Sequence, residues 1–125
     1  MQKKIYYHHT DCGGVVYYGK YLELLEEART EFLAEKGVLI KKLADQGILF
    51  VVVRQEIEYK MPAFYGDTIE IDTRISGASR ASMEFTYLLK NQHDKIIAKA
   101  KTVLACVDKN LKPNPIPAAI RSKIS

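Results

Sequence analysis

The sequence predicts one α+β domain in which a five-stranded antiparallel sheet wraps around a single long helix. Three observations predict it. Apolar residues recur every three or four positions from Tyr17 to about Gly37, a two-residue period governs most of the chain after Val53, and short turn-forming stretches separate the alternating runs.

In the first run, Tyr21, Leu22, Leu24, Leu25, Ala28, Phe32 and Leu33 form the apolar side, while Glu23, Glu26, Glu27, Arg29, Glu31 and Glu35 fill the other faces. The spacing predicts a helix of about five turns. Lys36 suits the negative end of the helix, and Gly37 tolerates the left-handed conformation that terminates it. A second, short helical stretch is expected near Ile40 to Gln46.

The strands follow from alternation. Val53, Gln55, Ile57, Tyr59 and Met61 alternate with Arg54, Glu56, Glu58 and Lys60; Ile69, Ile71 and Ile75 with Glu70, Asp72 and Arg74; Met83, Phe85, Tyr87 and Leu89 with Ser82, Glu84 and Thr86. A further strand runs roughly from Lys95 to Val107, and Lys3 to His8 alternates well enough to supply the fifth. The connections Tyr65-Gly66-Asp67, Ser76-Gly77-Ala78-Ser79 and Asn91-Gln92-His93-Asp94 predict that consecutive strands pair as hairpins in a meander. Ile97 to Val107 is apolar on both faces at its end, as for a sheet edge or face packed against another subunit. Pro113, Pro115 and Pro117 forbid regular structure after Asp108, leaving Ala118 to Ile124 for one or two closing helical turns.

Composition limits the function. The 125 residues suit one domain, and 47% hydrophobic with 27% charged residues excludes disorder. No stretch approaches the roughly 18 apolar residues of a membrane span, and the polar start lacks the apolar run of an export signal, so a cytoplasmic protein is expected. Cys12 and Cys106 lie far apart without CxxC spacing, which reads as two free thiols. His8 and His9 would face opposite ways on a strand with no third ligand placed by spacing, so no metal site is expected. The +4 net charge, from 19 basic and 15 acidic residues, is spread along the chain; it fits an anionic ligand and gives no specific support for nucleic acid.

The segment from His8 to Tyr18 differs from the rest, placing an acid, two glycines and a helix N-terminus in one short loop. Unpaired N–H groups at a helix N-terminus can hold a carbonyl oxygen as negative charge develops on it. An aspartate, ionised at neutral pH, can attack an activated carbonyl or take a proton from water. On residue type and position alone, Asp11 reads as a helix cap or an Asx-turn. Gly13 and Gly14 either admit a substrate close to the backbone or permit positive φ in a tight turn.

Thr10-Asp11-Cys12-Gly13-Gly14-Val15-Val16-Tyr17-Tyr18-Gly19-Lys20-Tyr21-Leu22, followed by Glu26-Glu27-Ala28-Arg29-Thr30-Glu31, resembles the 4-hydroxybenzoyl-CoA thioesterase family, and within it the branch encoded with the bacterial Tol-Pal system. The resemblance spans the chain and implies the hotdog fold and hydrolysis of acyl-CoA, of short-chain or small acyl groups, without a cofactor. It places the catalytic aspartate on Asp11 and the carbonyl-polarising backbone N–H on Tyr18. Many Tol-Pal-type members carry histidine at that position; a backbone donor survives the change, while a proton-transfer role for the histidine does not.

Gly14 and Val15 in the loop, and Ser79 and Arg80 in a later turn, are the candidate substrate-binding residues, the last two for the phosphates of CoA. His9 reads as a hydrogen-bonded structural histidine. The resemblance also implies a homodimer or homotetramer with the site between subunits. Two alternatives stand beside hydrolysis. One is hydration or dehydration of an acyl chain, for which this chain lacks the clear pairing of a histidine with a helix acid. The other is a non-catalytic module binding acyl groups or acyl-carrier protein in envelope or phospholipid metabolism.

Overall fold

The computed structural model describes residues 1–11 and 13–124, so Cys12 lies outside the described residues; Cys106 is a buried free thiol. The elements are β1 (Gln2–Lys4), a 3-10 turn (Tyr7–His9), α1 (Lys20–Glu35), α2 (Ile40–Asp45), β2 (Leu49–Tyr59), β3 (Thr68–Ala78), β4 (Ser82–Lys90), β5 (Ile96–Val107) and α3 (Ala118–Ile124). The strands form one antiparallel sheet in the order β1-β3-β4-β5-β2, with α1 against it: the hotdog arrangement.

Helix α1 buries Tyr21, Leu24, Leu25, Ala28 and Leu33, the periodic positions of the sequence. They share one core cluster with Ile69 and Ile71 of β3, Phe85 and Leu89 of β4, and Leu104 of β5. The rings of Phe32 and Phe85 meet edge to face at 6.2 Å. Each fully buried side chain of this size contributes about 1.5–3 kcal/mol through removal from water. The helix ends as expected: Lys36 is its C-cap and Gly37 follows at φ 80°.

Several expectations need correction. The long helix begins at Lys20, not Tyr17. The carbonyls of Tyr17, Tyr18 and Gly19 accept the N–H groups of Lys20, Tyr21 and Leu22, each three residues on, so the entry is a tighter turn than an α-helix. Strand β1 stops at Lys4, because the Tyr6 N–H donates to Nδ1 of His9 at 2.8 Å and leaves the ladder. His8 and His9 therefore lie in a turn with ring centroids 4.1 Å apart, instead of facing opposite sides of a strand.

The meander holds only for β3, β4 and β5. Strand β2 pairs with β5, from Leu49 opposite Val107 to Tyr59 opposite Ala98, on the far side of the sheet from β1. Tyr65-Gly66-Asp67 thus ends a crossover, not a hairpin. Pro62 has no N–H to give to a ladder, and the crossover's other groups bond elsewhere. Ala63 accepts from Val16 at 2.8 Å, Tyr65 donates to Gly14 at 3.0 Å, and Gly66 donates to Ile5 at 2.9 Å.

Strand β5 is interior to the sheet, between β4 and β2, so no sheet edge accounts for its two-sided burial. The C-terminal segment covers its end. Asn114 donates to the carbonyl of Cys106 and Ile116 to that of Arg80, while Ile116, Ile120 and Ile124 join the core.

Candidate active site

The loop entering α1 is closed on itself. Asp11 donates its N–H to the Val15 carbonyl at 3.0 Å, and Gly14 donates to the Asp11 carbonyl at 3.1 Å. The Asp11 side chain forms an Asx-turn, its Oδ1 accepting the Gly13 N–H at 3.0 Å. It does not cap the helix: the N-cap is Gly19, eight positions on. The carboxylate is exposed.

Gly14 has φ 74° with no described residue within 4 Å of the position a Cβ would take. The turn conformation therefore demands glycine there, and the space above it is open. Gly13 carries no such demand; its Cβ would sit 3.5 Å from Asp11 Oδ1, an ordinary contact.

The crossover holds this loop from outside through the Val16–Ala63 and Gly14–Tyr65 bonds, with a bridge from Val15 to Phe64. Beyond the loop, α1 starts without a side-chain cap, because Gly19 has no side chain to offer. Among the described residues the Tyr18 and Gly19 N–H groups have no acceptor. They lie at the positive end of a 16-residue helix.

Val15 and Tyr18 line a cleft of about 330 Å³ together with Tyr21, Tyr59, Met61 and Pro62. Tyr21 is buried and its ring meets that of Tyr59 edge to face at 5.3 Å. Burial pushes the Tyr21 phenol above its ordinary pKa, a backbone interaction with Ala63 working against this. Tyr59, Met61 and Pro62 are the lining residues that sequence reasoning missed. Alternation puts Tyr59 on the same face as Ile57, but no local pattern brings the end of β2 to the start of α1. A groove of about 350 Å³ lies on the sheet between β2, β4 and β5, lined by Glu56, Glu58, Lys99 and Lys101 among others. No described residue of the Asp11 loop lines it, so size alone does not mark the site.

His9 is 6% exposed, and its Nδ1 accepts the Tyr6 N–H, so the neutral ring carries its proton on Nε2. Burial lowers its pKa, aided by His8, Lys20 and Lys3 and opposed by Glu27. Glu27 binds Lys3 of β1 at 2.8 Å. His9 supports the loop and does not face Asp11 through any bond among the described residues.

Ser79 and Arg80 are not brought to the loop. They lie in the turn after β3, whose Ser79 and Ser82 hydroxyls meet at 2.6 Å, at the opposite end of that strand from the crossover. An 11-residue strand spans roughly 35 Å if straight.

A sheet wrapped on one helix, with an acid and an uncapped helix start in one loop, defines a class that the comparisons specify. The chain belongs to the Thioesterase-like superfamily, a class of thioester hydrolases, whose sequence profile it matches over residues 7–124. It is 35% identical over 118 residues to the acyl-CoA thioester hydrolase YbgC of Escherichia coli O6:H1, covering 94% of this chain and 88% of that one. It is 28% identical over 124 residues to the 1,4-dihydroxy-2-naphthoyl-CoA hydrolase of Synechococcus elongatus, covering 97% and 90%. The crystal structure of a hypothetical protein from Aquifex aeolicus superposes with a TM-score of 0.94 at 32% identity, over 100% of this chain and 98% of that one.

Proposed function

We propose that this chain hydrolyses the thioesters of small acyl groups with CoA, using Asp11 and the backbone N–H of Tyr18. The observation that carries the reading is the connectivity of the loop. Asp11 is closed onto Val15, Val15 and Tyr18 line one cleft, and Tyr18 leads into a helix start with no side-chain cap.

Two routes use these groups. In one, the Asp11 carboxylate adds to the thioester carbonyl, the C–S bond breaks to release CoA thiolate, and water cleaves the resulting anhydride. In the other, Asp11 takes a proton from a water molecule that adds directly to the carbonyl, and the C–S bond then breaks to release CoA, which recovers the proton as the thiol. In both, negative charge gathers on the carbonyl oxygen, where a helix N–H stabilises it most in the transition state. The relatives' activities on CoA thioesters favour CoA as the donor over acyl-carrier protein. The cleft volume is near the lower end for small-molecule sites, which suits a short chain or a single ring against Val15.

The site is completed by a second copy of the chain. Strand β2 ends the sheet, and its Val52 and Val53 are 49% and 59% exposed. A paired β2 edge would cover them and bring another copy's turn within reach, so that Ser79 and Arg80 meet the CoA phosphates held at the first copy's loop.

The deciding measurement is thiol release from a panel of acyl-CoA substrates by the wild type and Asp11→Asn. Asparagine keeps the acceptor for the Gly13 N–H, so the fold is expected to persist, while turnover falls by at least about a hundredfold. Unchanged turnover would remove Asp11 from the reaction.

A further inference from the structure

Tyr59, the last residue of β2, donates its hydroxyl to the Tyr18 carbonyl at 3.2 Å, across 41 residues of sequence. The same carbonyl accepts the Tyr21 N–H at 3.3 Å, a long bond for a helix start. Since Gly19 provides no cap, the Tyr59 hydroxyl is, among the described residues, the one side-chain group bonded to the backbone of this turn. Its ring does not swing freely: it packs edge to face on Tyr21, which is 3% exposed.

We infer that Tyr59 is a positioning residue for thioester hydrolysis, its hydroxyl fixing the peptide between Tyr18 and Gly19 so that the free N–H groups of the turn stay aimed at the reacting carbonyl. This rests on the oxyanion role proposed for this turn, and adds the Gly19 N–H to that of Tyr18 as a donor. The Tyr18 carbonyl and the Gly19 N–H belong to one planar unit, so a donor held on the oxygen also fixes the direction of the N–H. Hydrogen bonds in series strengthen one another, which makes the Gly19 N–H a better donor when Tyr59 is bonded behind it. Burial raises the Tyr59 pKa above its ordinary value, with Tyr18 adding to the shift, so the phenol remains a donor at neutral pH.

Tyr59→Phe keeps the ring on Tyr21 and removes only the hydroxyl. Hydrolysis of butyryl-CoA and benzoyl-CoA is measured for the wild type, Tyr59→Phe and Asp11→Asn. The expected result for Tyr59→Phe is a kcat lower by about tenfold, less than the outright loss of an oxyanion donor, with KM within about twofold. The infrared carbonyl band of whichever thioester binds is then compared in Asp11→Asn and in Asp11→Asn with Tyr59→Phe. It should move to higher wavenumber when the hydroxyl is absent, and it reads only the folded, bound fraction. An unchanged kcat and an unmoved band overturn the inference, as does a rise in KM alone, which would make Tyr59 a wall of the cleft. Full turnover by Asp11→Asn, or none by the wild type, instead overturns the catalytic reading beneath it.

Discussion

Val16 donates its N–H to the carbonyl of Ala63 at 2.8 Å, and through this bond the loop carrying Asp11 is fastened to the crossover that joins the two sides of the sheet. Val16 is buried and Ala63 is fully so, which shields the bond from water. The loop is therefore a supported surface rather than a free one.

That support makes the conformation of Gly14 costly to change. An alanine at φ 74° in open space suffers no clash with neighbours but pays the left-handed penalty of an L-residue, about 1–2 kcal/mol. Gly14→Ala should lower the stability measured by urea unfolding by that amount. Gly13→Ala, whose Cβ meets among the described residues only Asp11 Oδ1 at 3.5 Å, should leave it within about 0.5 kcal/mol. Equal losses at the two positions would contradict the assignment.

A pH effect follows from His9. Its folded-state pKa is lowered, chiefly by burial and then by His8, Lys20 and Lys3, so the unfolded chain takes up the proton first as pH falls. The associated stability is complete above the ordinary value of 6.5 and is lost as pH drops through it towards the lowered pKa. In His9→Asn, the amide oxygen can accept the Tyr6 N–H without titrating. Thermal melts between about pH 8 and pH 5 should fall more steeply for the wild type than for His9→Asn below about pH 6.5. Parallel curves would assign the acid sensitivity to other groups.

The second copy is tested at the sheet edge. Val53 lies at an irregularity in the β2–β5 ladder, between Val52 and Arg54, and is exposed. A glutamate there costs the folded monomer little, within about 0.5 kcal/mol for an exposed site, but places like charges together in a paired edge. Sedimentation velocity should show Val53→Glu as monomer where the wild type is dimer or larger, with thioester hydrolysis falling in proportion. A monomeric wild type would remove the need for Ser79 and Arg80 from a second copy.

The elements legible in the sequence were those defined by local rules. The apolar period of Leu24, Leu25, Ala28 and Leu33 marks the buried side of α1, Gly37 ends the helix at positive φ, and Ala118–Ile124 forms the closing helix. Pairing was harder to read. Alternation states which side of β2 faces inward but not which strand lies beside it, and a strand that satisfies the two-residue period can join either side of the sheet. Only Pro62 hinted that the chain leaves the ladder there. The same gap hid Tyr59, whose neighbours Tyr18 and Tyr21 lie close to it only because of the crossover. Of the two local readings of Asp11, a helix cap or an Asx-turn, the structure has the Asx-turn, and the N-cap is Gly19.

The glycine at the head of α1 carries a consequence for engineering. Serine, asparagine or aspartate at an N-cap would stabilise the helix by only a few tenths of a kcal/mol over glycine, so the stability forgone is slight. Such a side chain accepts from the second or third N–H of the helix, those of Tyr21 and Leu22, which already donate to Tyr18 and Gly19, and its Cβ would press on the Tyr17 ring at 2.8 Å. Routine helix-cap optimisation of this domain should therefore pass over position 19: the thermal gain there is small, and the Tyr17 ring it would displace belongs to the turn that carries the Tyr18 N–H.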